Sequence, residues 1–362
     1  MGLKRILGAP GAAPYPSHVQ VVDLMKHNHA NLVALAVLVA CLLLSISVGR
    51  YPLKVTSVLQ LVRFKIQFCK PPREMSNDYI VFWSIRLPRV LMASAVGAVL
   101  AIAGTVFQGL FRNPLVSPDI LGVSAGAGFG AGLAILLFGK STLAIQTLAF
   151  AFGLLAVVIA YAMSRHARST SVTTLVLSGI IVSALFSAGL SFLKYVADPY
   201  EELPAIVFWT MGSFSNTLWA DLIKTLPVIA VCVLILFVLR WKLNVLTLGD
   251  DDAMSLGIDV GKARAIYVFL ATLMVASSVS SCGTISWVGL VVPHMARLIV
   301  GPDHSVLLPF AGIVGASFMV LMDTLARSIS GGEIPISIMT SLIGAPFLGY
   351  LMLKQEKSQW DD

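Results

Sequence analysis

The sequence predicts an all-α polytopic membrane protein with about ten transmembrane helices, and three observations carry that prediction. Of the 362 residues, 57% are apolar and only 12% charged, about half the charge of an ordinary soluble domain. The mean hydropathy is +0.88. Apolar runs of roughly 17–25 residues, the length that crosses a hydrocarbon core of about 30 Å, recur along the whole chain. So few charges cannot cover a water-facing surface, which excludes a soluble enzyme, a nucleic-acid module and a disordered chain. The net charge of +7 fits the same class, because basic residues gather beside membrane spans and meet anionic lipid. A nucleic-acid binder would need a basic stripe on a soluble fold. The expected environment is the lipid bilayer, with no nucleic acid.

Taken in order, residues 1–30 form a polar tail. Lys26, His27, Asn28 and His29 precede the first apolar run and no small-residue cleavage site follows it, so the tail is no secretory signal. A ten-helix domain then covers 31–352, with spans at 31–48, 88–111, 119–139, 143–163, 172–196, 221–240, 264–282, 284–300, 305–325 and 333–352. The stretch 50–87 is a long loop between the first two spans, 241–263 a polar segment between the sixth and seventh, and 353–362 a second tail. The eighth span holds Pro293, His294 and Arg297, so a short or broken helix is expected there. In the third, Gly122, Gly126 and Gly130 repeat every four residues, with Gly128 and Gly132 as a second pair. That spacing lets helix backbones approach closely in lipid, where apolar burial gives no drive to associate.

Ten spans place both termini on one side. A cytoplasmic N-terminus puts 13 Lys and Arg inside and 12 outside, which decides nothing; without the stretch from Arg50 to Arg89, which holds eight of them, the ratio is 13 to 4. The shorter loops therefore favour cytoplasmic termini.

No catalytic constellation is present. Cys41, Cys69, Cys232 and Cys282 have no CxxC spacing and read as small core residues. Gly139-Lys140-Ser141 has Ala134 where a phosphate loop needs its first glycine. No His, Cys or carboxylate residues recur at metal-ligand spacing within a span. Asp323 and Arg327 read as a local i, i+4 ion pair. A weak internal echo, Gly104-Thr105 ten residues before Pro114 and Gly283-Thr284 ten before Pro293, suggests duplicated halves of the kind transporters use. Residues 244–262 carry four Asp, with Gly249 and Gly257 as breaks. Leu248, Ala253, Met254 and Leu256 would give a short helix there an apolar face for a soluble partner; the plainer alternative is a solvated loop.

Several motifs carry a resemblance. Arg86-Leu-Pro-Arg89, Gly97, Gly104, Gln108, Asn113-Pro-Leu115, Pro118 and Leu121-Gly-Val-Ser-Ala-Gly126 open it. Trp209-Thr-Met-Gly-Ser213, Leu248-Gly249 to Leu256-Gly257, Gly289-Leu-Val-Val-Pro-His294-Met-Ala-Arg297, Glu333-Ile-Pro335 and Gly344-Ala-Pro346 continue it. Over roughly residues 80–352 the chain resembles the iron-chelate (siderophore), haem and vitamin B12 permeases, the membrane subunits of type II ABC importers. The first 80 residues depart from the family pattern, and 61–75 read as an amphipathic piece at the outer membrane face.

The resemblance implies a vitamin B12 permease-like fold in a prokaryotic inner membrane, pairing with a second copy or close paralogue. It implies two cytoplasmic ATPase subunits, which use ATP and Mg, and an extracytoplasmic substrate-binding protein; this chain would bind no cofactor and catalyse nothing itself. Arg86, Arg89 and Arg327 would meet carboxylates of the binding protein, a pairing suited to guanidinium forks. Asn113, Leu115, Ser169, Thr170 and Ser171 would close the pathway on the cytoplasmic side. Leu248, Gly249, Asp250, Ala253, Leu256 and Gly257 would couple to the ATPase. Ser178, Gly179, Ser183 and Ser187 of the fifth span would line the pathway, although small-residue packing explains such positions equally well. The implied cargo is an iron complex or cobalamin, and Phe208-Trp-Thr-Met-Gly-Ser-Phe214 reads closer to iron members. The alternative is an ion-coupled secondary transporter, which would need no ATPase.

Overall fold

The structure, a computed structural model, describes residues 18–49, 51, 53–67, 72–166 and 172–360. Every regular element among them is helical: α1 (His18–Ser47), α2 (Val55–Ile66), α3 (Ser76–Ile80), α4 (Leu87–Phe111), α5 (Val123–Phe138), α6 (Thr142–His166) and α7 (Val172–Val196) come first. Then follow α8 (Glu202–Thr210), α9 (Trp219–Leu248), α10 (Asp250–Ser255), α11 (Val260–Cys282), α12 (Val288–Val300), α13 (His304–Ser328) and α14 (Ile336–Trp360).

Seven helical segments are long and apolar enough to cross a membrane, and three shorter apolar helices (α5, α12 and Ile336–Leu351 of α14) complete a set of ten in the order of the predicted runs. Two runs are shorter as helices than as apolar sequence. α5 has 16 residues and α12 has 13, about 24 and 20 Å at 1.5 Å per residue, short of the core thickness. Each begins after an unwound entry. Arg112 (φ 50°) caps α4 before the turn Pro118–Leu121 that leads into α5, and Trp287 (φ 73°) stands immediately before α12. A large aromatic residue in the left-handed region holds strain that its surroundings must offset.

Among its described residues, the stretch 50–87 is largely helical instead of a loop. A π-helical turn, Val81–Arg86, joins α3 to α4 and extends the second span outward. Of the stretch 61–75, where an amphipathic piece is expected, residues 61–66 close α2, 73–75 form a single tight helical turn and 68–71 lie outside the described residues. Val58 and Leu61 pack with Phe82 in a small outer core, and the Lys65 ammonium lies 5.6 Å from the Trp83 ring centre.

α4 forms the axis of the bundle and is buried over nearly its whole length, against α13, α12, α9 and α11. Missing side chains explain the closeness. A Cβ on Gly97 would lie 2.2 Å from the Gly315 carbonyl oxygen of α13, and one on Gly104 would lie 1.9 Å from that of Gly289 on α12. The repeat in α5 works the same way: Gly126 and Gly130 back onto the Phe152 and Leu148 carbonyls of α6, while Gly128 and Gly132 face Leu190 of α7. Gly122, the first member, serves instead as the left-handed residue that starts α5 (φ 85°).

Candidate functional site

The two ends of the bundle hold most of the residues that the sequence singles out. At one end α9 closes at Leu248 and Gly249 breaks the helix with φ 145°, a conformation that favours glycine. α10 follows at once, its first turn formed by Asp250, Asp251 and Asp252, where carboxylates complement the positive end of the helix dipole. Gly257 (φ 80°) turns the chain into α11, whose N-cap, the Asp259 carboxylate, accepts from the Lys262 backbone N–H at 3.0 Å. Hydrogen bonds from that N–H and from the Lys262 side chain hold the Asp259 carboxyl below its ordinary range.

This segment is tethered yet presents apolar surface. The Arg264 Nη2 donates to both Asp250 carboxylate oxygens, at 2.9 and 3.1 Å. Ala253 is fully buried, whereas Leu248, Met254 and Leu256 are 62%, 56% and 61% exposed. The four apolar residues therefore divide: Ala253 seats α10 on the bundle, and the other three point outward. A second tie lies just before it. Asn244 Oδ1 accepts from the His304 backbone N–H at 2.8 Å, and its Nδ2 donates to Asp303 at 2.6 Å. No local pattern marks Asn244, since its partners are 59 and 60 residues away.

The loop after α4 lies at the same end. Asn113 Oδ1 accepts from the Leu115 N–H at 2.9 Å, an Asx turn that presents Leu115 at 53% exposure. Ser169, Thr170 and Ser171, expected with them at a gate, lie outside the described residues, as do Cys69 and most of the N-terminal tail.

At the other end the arginines differ from expectation. The resemblance has Arg86, Arg89 and Arg327 facing carboxylates of a docking partner; in the structure they are 4%, 6% and 7% exposed. Arg89 grips Asp323 through Nε and Nη2 at 3.0 and 2.8 Å and donates Nη1 to Glu333 at 2.8 Å. Arg86 donates to the Ile46 and Tyr51 carbonyls, and Arg327 to the carbonyl and, at 2.8 Å, to the hydroxyl of Ser45. These carbonyls belong to the last turn of α1 and the residues beyond it, where a helix leaves acceptors unsatisfied and its dipole favours cations. Asp323, fully buried, is a bidentate partner of Arg89 on another helix, while its contact with Arg327 in the predicted i, i+4 pair is the looser one at 3.8 Å. The missed members, Glu333 and Ser45, had one hint: a lone carboxylate in an apolar run must find a cation.

The small residues of α7 also divide. Ser178 is buried, a Cβ on Gly179 would lie 2.1 Å from the Ile120 carbonyl oxygen, and Ser183 packs against Gly122 while donating to the Gly179 carbonyl. Gly179 and Ser183 pack on the turn before α5. Ser187 is exposed, as are Thr173 and Ser191, on a helix whose outward surface is mostly apolar, with Leu177, Ile180, Ile181, Leu185 and Phe192 among its exposed residues. Asp119, not singled out by sequence, sits in that turn and accepts from the Ser124 hydroxyl.

Comparisons with known proteins agree with this architecture. The pattern of the FecCD transport family matches residues 37–354. The chain is 43% identical over 321 residues to a molybdate import system permease of Haemophilus influenzae, covering 88% of this chain and 94% of the relative. It is 42% identical over 277 residues to a cobalamin import system permease of Halobacterium salinarum, with coverage of 76% and 74%. It is 37% identical over 293 residues to a hemin transport system permease of Yersinia pestis, with coverage of 78% and 87%. A solved inward-facing ABC transporter of the metal-chelate type superposes with a TM-score of 0.80 at 41% identity, covering 90% of this chain and 98% of the other. The multi-pass helical chain described here belongs to the FecCD transport family.

Proposed function

We propose that the chain is the translocating subunit of an ATP-driven, binding-protein-dependent importer in a prokaryotic inner membrane, working with two ATPase subunits. The observation that carries the reading is α10: a short helix tied to the bundle by Asp250–Arg264 and Ala253, with Leu248, Met254 and Leu256 each held outward on or beside it. Polar loops do not keep an exposed apolar patch on a rigid mount without a partner. An ion-coupled carrier has no use for one. ATP and Mg act in the partner subunit. A second copy meets this chain along the exposed face of α7, so that Ser187 and the apolar residues beside it line the pathway, and Asn113 and Leu115 meet their symmetry mates at its inner end.

At the outer end a binding protein docks over α1, α4 and α13. Arg89 already holds two carboxylates and serves the fold. Arg86 and Arg327 meet partner carboxylates by exchanging them for the α1 carbonyls. The cargo is a compact anionic or chelated metal species. Names of similar permeases now include molybdate beside cobalamin, hemin and iron chelates, which widens the iron-weighted expectation drawn from residues 208–214.

The reading is tested in liposomes holding the chain with its ATPase and binding protein, offered molybdate, cobalamin, haemin and a ferric siderophore in turn. ATP-dependent uptake of one of them is expected; uptake of any without ATP, driven by an ion gradient, would contradict it. In the same complex, Leu115→Cys is expected to cross-link between subunits in one nucleotide state and not in another. Absence of the cross-link in every state would remove Leu115 from the gate.

A further inference from the structure

The α10 end of the bundle also carries a groove that the transport reading does not use. Val157, Val158 and Tyr161 of α6 face Val268 and Phe269 of α11 across a cleft of about 660 Å³, with Arg165 and His166 at its lip. From Val157 to His166 the helix rises about 13 Å, so the cleft runs from the membrane surface well into the hydrocarbon layer. Val157 and Val268 form a buried floor, and Val158 and Phe269 are walls 62% and 58% exposed.

Arg165 also borders a neighbouring cavity with Asp250 and Asp259, but each of those carboxylates already holds another cation. Nearby Arg264 is held by Asp250 and Lys262 by Asp259. Among the described residues, Arg165 and His166 have no carboxylate within ion-pair distance. The His166 Nδ1 donates to the Ala162 carbonyl at 2.9 Å, which leaves Nε2 as the ring's outward nitrogen.

We propose that this groove binds an anionic phospholipid, its phosphate on the Arg165 guanidinium and, in the doubly protonated ring, on the His166 Nε2–H, with one acyl chain along the Val157–Val268 floor. A guanidinium fork matches phosphate oxygens, and the apolar floor needs a chain to cover it. A zwitterionic lipid would bring its own ammonium beside the guanidinium. A free phosphate would leave the floor empty.

The test is native mass spectrometry of the delipidated full chain titrated with phosphatidylglycerol or phosphatidylcholine of identical acyl chains. Wild type is expected to retain phosphatidylglycerol about tenfold better, a difference of about 1.4 kcal/mol. Arg165→Gln with His166→Gln should bring it down to the phosphatidylcholine level, and Arg165→Lys, which keeps charge but loses the fork, should fall between. Val158→Trp, which fills the groove, should weaken both lipids, and glycerol phosphate at equal concentration should displace neither. Equal retention of the two lipids by wild type, a preference that survives the double substitution, or displacement by glycerol phosphate would each overturn the proposal.

Discussion

The outer and inner ends of the bundle look alike in sequence, since each offers a polar cluster suited to a docking partner, but the structure treats them in opposite ways. At the outer end, charge is turned inward: Arg89 holds Asp323 and Glu333, and Arg86 and Arg327 hold the end of α1. At the inner end, one ion pair is spent on mounting α10, and apolar side chains are left outside. A buried guanidinium must be matched where it stands, because leaving it unpaired costs several kcal/mol. An exposed Leu or Met costs little until a partner covers it. The difference supports the proposal that the α10 end is a docking surface, while the buried network at the other end holds helices together.

Breaking the outer network should have the largest effect on the fold. Asp323→Leu leaves Arg89 buried with one of its two carboxylates missing, and a loss of about 3–5 kcal/mol is expected. Thermal unfolding of the purified chain in detergent would read it. Adding Arg89→Met should recover most of that loss, since Glu333, only partly buried, can then turn to water. If the single substitution were harmless, the outer end would not be a structural clamp.

Met254→Asp with Leu256→Asp sharpens the comparison from the other side. Two carboxylates in place of two apolar anchors should weaken ATPase binding by roughly 100-fold, about 3 kcal/mol, with no change in unfolding temperature. A titration of the ATPase subunit against the chain in nanodiscs measures it. A drop in stability without loss of binding would reverse the roles assigned to the two ends.

The smallest effect expected is that of Arg86→Ala. Its guanidinium satisfies the Ile46 and Tyr51 carbonyls, so its removal should cost about 1–2 kcal/mol, read by the same unfolding assay. A loss as large as that of Asp323→Leu would mean that Arg86 belongs to the charge network and not to the α1 cap.

Much of this was legible in the sequence because it is local. Apolar runs mark the spans, Gly126 and Gly130 mark a helix contact, and Gly249 and Gly257 bracket α10 at positions that the structure gives positive φ. What was not legible is long-range. Nothing near Arg89 in sequence points to Asp323, 234 residues away, so an arginine cluster read as free was in fact matched. The same holds for α7, where Gly179 and Ser183 pack on a turn from another part of the chain. Hydropathy read over a span-length window also could not see that the third and eighth runs unwind at their starts, since Pro118–Leu121 and Gly283–Trp287, although less apolar than the helices that they precede, are too short to break either run.

The claim that α10 is where ATP hydrolysis meets transport is tested most directly by Gly257→Pro. Proline fixes φ near −65° where the chain needs 80°, so the turn from α10 into α11 is lost while the spans keep their sequences. Substrate-stimulated ATP hydrolysis is then measured for the reconstituted complex, beside a check that the variant inserts and unfolds like wild type. The account predicts an inserted permease whose partner ATPase no longer responds to substrate. Stimulation at the wild-type level by the inserted variant would contradict it.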